Sequence, residues 1–310
     1  MPRFPDHARV AFIGDSITAA GWWIAHVYDH YLRNFPDSDI RMFNTGISGG
    51  SAKSALMFFE KNIMVYRPTH AVVMLGMNDI GRIDYDVDAQ GAFKKGDSAD
   101  RLTSLMRYER GMRELIEKLQ SLGVSLTLVT PTCFDEYTDH KNLDKIGCDA
   151  ALEYAGEIVR RLAVEYGCEF VNLHAPLRLL NAMHCMLRPD RVHPLENGHI
   201  VMAQLFLYAQ GLCAEPTLTD FESLPQTLSL LPENRARFEA EEKVRAVWNT
   251  EWHLLRGQSK DEAERRAYLQ TYQAPTAYFE SLRTFYLEYG QQRDELLNRE
   301  IALCDACATR

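Results

Sequence analysis

The sequence predicts an α/β fold in which a parallel, five-stranded sheet is covered by helices on both faces and followed by a separate helical extension. Three observations carry this prediction. From residue 8 to about 212, strand-like runs alternate with helix-length segments. The strand-like runs are short and built of β-branched or apolar residues. After Pro216 the strand signal stops. The expected organisation is one domain over 1–215 and a helical extension over 216–310.

Taken in order, "RVAFI" (9–13) opens the sheet and ends at Gly14, beyond which Asp15 and Ser16 can open a helix. "IRMF" (40–43), "HAVVML" (70–75), "SLTLVT" (125–130) and "EFVNL" (169–173) supply the other four strands. Helix-length segments at about 22–35, 52–66, 101–122, 147–166 and 194–211 lie between and after them. Such sheets bind ligands beyond the carboxyl ends of their strands, so signals of function are expected just after strands. In the extension, "EPTLTDFESLPQTLSLLP" reads as a Pro-punctuated connector. Helical patterns follow from Glu233, with Phe238, Val244, Trp248 and Leu255 in a first stripe and Phe279, Leu282, Tyr286, Tyr289 and Leu297 in a last one. These aromatic stripes are expected to pack on the first domain or to form a homodimer.

Composition narrows the function. The net charge of -9 divides almost evenly, 22 basic against 27 acidic residues before position 216 and 12 against 16 after it. Neither part carries the basic field that nucleic acid or an anionic membrane surface requires. The start "MPRFPDHARV" has no apolar signal core, and no stretch approaches ~18 uninterrupted apolar residues, so a cytoplasmic location without a membrane span is expected. Seven scattered cysteines (133, 148, 168, 185, 213, 304, 307) fit reduced thiols better than a disulfide framework. Cys304 and Cys307 form a lone CxxC, weak evidence for a metal, and none is expected.

Four stretches carry chemistry. Ser16, after Gly14-Asp15 at a strand end, is either a helix N-cap or an exposed nucleophile. "NTGISGGSA" (44–52) is a glycine-rich loop whose backbone N–H groups can approach a ligand, although it fits no phosphate-loop spacing. In "LGMNDIGR" (75–82), Asn78 follows a strand end; the alternative to a functional amide there is a turn residue capping the next helix. In "RPDRVHPLENGH" (188–199), Asp190 stands three residues before His193. That spacing lets a carboxylate reach the ring's Nδ1–H and fix the tautomer that leaves Nε2 free as a base, which a nucleophilic serine needs. Singly, Asp190 reads as a cap and His193 as a helix-start residue.

Together, "GDSIT" (14–18), "NTGISGG" (44–50), "GMND" (76–79) and "DRVH" (190–193) resemble, in order and separation, the four blocks of the SGNH hydrolases, also called GDSL esterases and lipases. The likeness spans about two thirds of the chain, leaving the extension outside it. The resemblance implies a flavodoxin-like three-layer α/β/α sandwich. It also implies Ser16 as nucleophile, His193 as general base, Asp190 as its orienting partner, and an oxyanion hole formed by the Ser16 N–H, the Gly49 N–H and the Asn78 side-chain amide. No cofactor is implied. The substrate expected by analogy is a small water-soluble ester, an O-acetyl group on a sugar in particular; a short-chain lipase or thioesterase would use the same residues. A binding-only scaffold is the reading from another class, against which stands the complete residue set. Asp15, Trp22, Trp23 and Arg82 are candidate substrate contacts, with core packing the alternative for the tryptophans and a surface charge that for Arg82. Asp135, Glu136 and Asp139 read as solvated loop residues, and Arg188 as a surface charge.

Overall fold

Five parallel strands form one sheet in the order β2-β1-β3-β4-β5: β1 (Arg9–Gly14), β2 (Arg41–Asn44), β3 (His70–Met74), β4 (Ser125–Val129) and β5 (Glu169–Val171). They are seen in a computed structural model that describes residues 1–136 and 144–214. The expected helical extension, its dimer contacts, Asp139, Cys304 and Cys307 lie outside those residues. Val10 sits beside His70 and Gly14 beside Met74, so β1 and β3 end level with each other. All but the first residue of β1, β3 and β4 is buried, which is why they read as continuous apolar runs rather than alternating ones.

Helices cover both faces. On one, α2 (Trp22–Asn34) packs along α7 (Glu196–Ala209); on the other, α4 (Ser98–Ser121) lies between α3 (Ala52–Met57) and α5 (Cys148–Tyr166). This is the expected three-layer sandwich. The chain leaves β1 for β2 on one side, then returns past β1 to β3 on the other. The crevice at the carboxyl ends of β1 and β3 is therefore a topological switch point, where open α/β sheets bind ligands.

Three local expectations need correction. The helix expected over 52–66 ends at Met57, and the chain continues through a π turn (Phe59–Ile63) and a 3-10 turn (Met64–Tyr66). An unforeseen helix, α6 (His174–His184), follows β5. The stretch 188–199 therefore follows a helix rather than a strand. Among the described residues no helix is long and apolar enough to cross a membrane.

Candidate active site

Ser16 reaches the sheet edge through a turn that glycine makes possible. A Cβ on Gly14 would stand 2.1 Å from Thr18 Oγ1 and 2.9 Å from the Met74 carbonyl oxygen, so only glycine lets the strand turn directly into a helix here. That helix, α1 (Ser16–Ala19), is one turn long. Its N-cap is Asp15, whose Oδ1 accepts the Ile17 N–H at 2.9 Å, which corrects the reading of Ser16 as the cap. Ser16 is the first helical residue and stays partly exposed, free of the capping role.

The turn carrying Asp190 and His193 is fastened from several sides. Asn181 Oδ1 accepts the N–H groups of Met186 (2.8 Å) and Leu187 (2.9 Å), and the Arg188 N–H donates to the His193 carbonyl (2.8 Å). Arg191 adopts the left-handed conformation (φ 67°), buries its side chain over the Phe134 ring (4.8 Å) and pairs with Asp144, while its carbonyl receives the Asp135 N–H. Asp190 Oδ1 accepts the N–H groups of Val192 (3.0 Å) and His193 (2.9 Å). Its other oxygen, Oδ2, is 2.8 Å from His193 Nδ1, and His193 Nε2 is 2.8 Å from Ser16 Oγ. Residues 177 positions apart thus form one relay. Partial burial pushes the Asp190 carboxyl up, but the two backbone N–H groups and the His193 ring outweigh it, leaving Asp190 below the usual carboxylate range.

The glycine-rich loop folds back on the same edge. The Ile47 N–H donates to the Gly14 carbonyl (3.0 Å) and the Thr45 N–H to that of Phe12 (3.0 Å), which lays the loop along the end of β1. Gly49 adopts a positive φ of 71°, a region that favours glycine. Beside it, the Gly50 carbonyl accepts the Asn78 side-chain amide at 2.9 Å. Asn78 is therefore tied to the Gly49–Gly50 turn rather than capping a helix. The next residue, Asp79, accepts the Ala52 N–H at the start of α3 (2.9 Å). Its Oδ2 is closed off without a partner among the described residues, and burial, aided by the charge of Asp15, raises its carboxyl to about 7. Burial raises Asp15 to about 6 against the opposing pull of the Ile17 N–H, His193 and Arg82.

The structure separates the candidate substrate contacts. Asp15 is 2% exposed and occupied as a cap, which argues against substrate contact. Trp23 is completely buried, edge-on to Phe12 (5.1 Å) and Phe206 (5.8 Å); it belongs to the core and cannot stack on a sugar. Trp22, one position earlier, is 38% exposed. Arg82 donates to Asn78 Oδ1 (3.2 Å), a bond that the spacing of four between them allows but does not announce. Asp135 and Glu136 are not solvated loop residues: Asp135 is buried, and Glu136 accepts the N–H groups of Gly147 and Asp149 at the start of α5. Arg188 is exposed, as expected. Among the described residues no group of three or more His, Cys, Asp or Glu side chains is placed to hold a metal ion.

Comparison with known proteins agrees with this geometry. Residues 12–201 match the GDSL-like lipase/acylhydrolase family. An acetylxylan esterase of Geobacillus stearothermophilus is 27% identical over 220 residues, covering 66% of this chain and 94% of that protein. Among solved structures, a gut microbial diltiazem-metabolizing enzyme superimposes with a TM-score of 0.62 at 27% identity, over 68% of this chain and 48% of the other, so the present chain spans about half that enzyme. The acetylxylan esterase Axe2 of Geobacillus stearothermophilus superimposes with a TM-score of 0.54 at 25% identity, over 67% of this chain and 95% of that one.

Proposed function

We propose, on the premise that the chain belongs to the GDSL-like lipase/acylhydrolase family and is an SGNH-type serine esterase, that it removes acetyl groups from carbohydrates through an acyl-enzyme on Ser16. The observation that carries this reading is the relay from Ser16 Oγ to His193 Nε2 and from His193 Nδ1 to Asp190, with both separations at 2.8 Å. Ser16 Oγ attacks the ester carbonyl carbon while its proton passes to His193 Nε2. Asp190 holds the other ring proton and balances the imidazolium charge. The oxyanion is received by the Ser16 and Gly49 N–H groups and the Asn78 amide. As the intermediate collapses, the C–O bond to the sugar breaks and His193 returns its proton to the leaving oxygen. Water then adds to the acyl carbon, giving its proton to His193, and acetate leaves as Ser16 recovers the proton.

The acetyl-sugar assignment is supported by the acetylxylan esterase relative and by the exposed ring of Trp22 at the start of α2, an aromatic surface of the kind sugars stack upon. The test is a series of initial rates on p-nitrophenyl acetate, butyrate and octanoate beside acetylated xylose. This reading predicts that acetate and the acetylated sugar dominate. Rates that rise with acyl length would overturn it in favour of a lipase or thioesterase.

A further inference from the structure

Asn78 is placed between two neighbours of opposite demand. Its Nδ2 donates to the Gly50 carbonyl (2.9 Å), and its Oδ1 accepts from Arg82 Nη2 (3.2 Å). A side-chain amide turned by 180° would set oxygen against oxygen at Gly50 and N–H against N–H at Arg82, so the two contacts define one orientation. One of the two Nδ2 hydrogens is used by Gly50; the other has no partner among the described residues. Arg82 itself follows Gly81, whose φ of 70° turns the chain, and opens the short 3-10 helix Arg82–Tyr85. Its guanidinium is thereby returned towards the residue four positions back.

We propose that Arg82 is a positioning residue for the oxyanion hole: its guanidinium fixes and polarises the Asn78 amide, so that the second Nδ2 hydrogen is presented to the developing negative charge. The inference rests on the reaction proposed above and assigns Arg82 to the amide rather than to the ground-state substrate. Bonding to a cation at Oδ1 draws electron density from the amide nitrogen and strengthens its N–H as a donor. The gain is largest where charge has formed, so it appears in kcat rather than KM. The nearby Lys145 Nζ pairs with Asp86 and meets Arg82 at its backbone carbonyl, a contact that replacement of the Arg82 side chain leaves in place.

The experiment measures kcat and KM on p-nitrophenyl acetate for Arg82→Met and Arg82→Lys, each alone and combined with Asn78→Ala. Arg82→Met is expected to lower kcat about 10-fold at unchanged KM, a fraction of the ~10²–10³ lost with a whole oxyanion donor. Arg82→Lys should recover part of this loss. In the Asn78→Ala background, Arg82→Met should change kcat by less than about two-fold, because the group it acts through is gone. Full multiplication of the two losses, or a loss confined to KM, overturns the proposal. An orientation readout independent of turnover is the side-chain amide resonance pair of Asn78 in nitrogen-edited NMR. It should move or broaden in Arg82→Met and less so in Arg82→Lys, and an unchanged pair in Arg82→Met overturns the assignment. Activity retained by Ser16→Ala would instead overturn the reaction itself and leave the amide measurement standing.

Discussion

Replacing Asp190 by asparagine perturbs the relay at one atom. Asp190 Oδ1 accepts two backbone N–H groups, from Val192 and His193, and the asparagine carbonyl must take that place. The new amide NH2 then occupies the position of Oδ2, 2.8 Å from His193 Nδ1, and donates to it. The ring proton is forced onto Nε2, facing Ser16 Oγ across 2.8 Å, where it can no longer accept the hydroxyl proton. The change also removes the charge that balances the imidazolium. An inverted tautomer of this kind costs up to ~10⁴ in turnover. Because the Asp190 side chain is 49% exposed, water competes for the ring, and we expect a loss on the order of 10³ in kcat/KM, roughly 4 kcal/mol of transition-state stabilisation. Steady-state kinetics on p-nitrophenyl acetate measure the loss, and a thermal melt shows that the turn survives. A folded Asp190→Asn protein within ten-fold of wild type would refute the tautomer argument.

Other consequences follow from burial. Burial raises Asp79 from 3.8 to about 7, so the folded chain retains a proton that the unfolded chain releases. The stability owed to this neutral carboxyl is full below about pH 4 and lost as pH rises to about 7. Asp79→Asn keeps the acceptor for the Ala52 N–H and should therefore gain on wild type with rising pH, by on the order of 2–4 kcal/mol between pH 4 and 8 in denaturant titrations. A difference independent of pH would contradict this. Trp23→Ala, in the core, should cost roughly 3–5 kcal/mol of stability. Trp22→Ala should cost less than about 1 kcal/mol while raising KM for acetylated sugar more than for p-nitrophenyl acetate. Equal stability losses for the two would show that the burial difference is wrong.

The parts of the fold legible in the sequence are those whose physical signal is local. β1, β3 and β4 are buried on both faces, and their apolar runs lie within a residue or so of the strand limits expected. The 52–66 segment misleads because Phe58, Phe59, Ile63 and Val65 supply apolar content without revealing that the chain changes from α to π to 3-10 winding. α6, absent from the helices expected, carries Pro176 in its first turn, where a helix does not use that N–H. In the site, the Asp190–His193 contact is legible from a spacing of three. The pairing of His193 with Ser16 across 177 residues rests on resemblance to a family. Arg82 and Arg191 show why the remainder stays hidden: one bonds the Asn78 amide four positions back in the same stretch, the other pairs with Asp144 from a left-handed backbone, and neither partner is marked by composition or period.

Covalent capture reports whether Ser16 is the nucleophile activated by His193. An organophosphate ester is incubated with wild type, Ser16→Ala and His193→Ala, and the products are followed by intact mass and peptide mapping. One phosphoryl group per wild-type chain is expected on the peptide carrying Ser16, none on Ser16→Ala, and labelling of His193→Ala slowed by on the order of 10³ or more. Stoichiometric labelling at another residue, with acetyl-ester turnover preserved in Ser16→Ala, would contradict it.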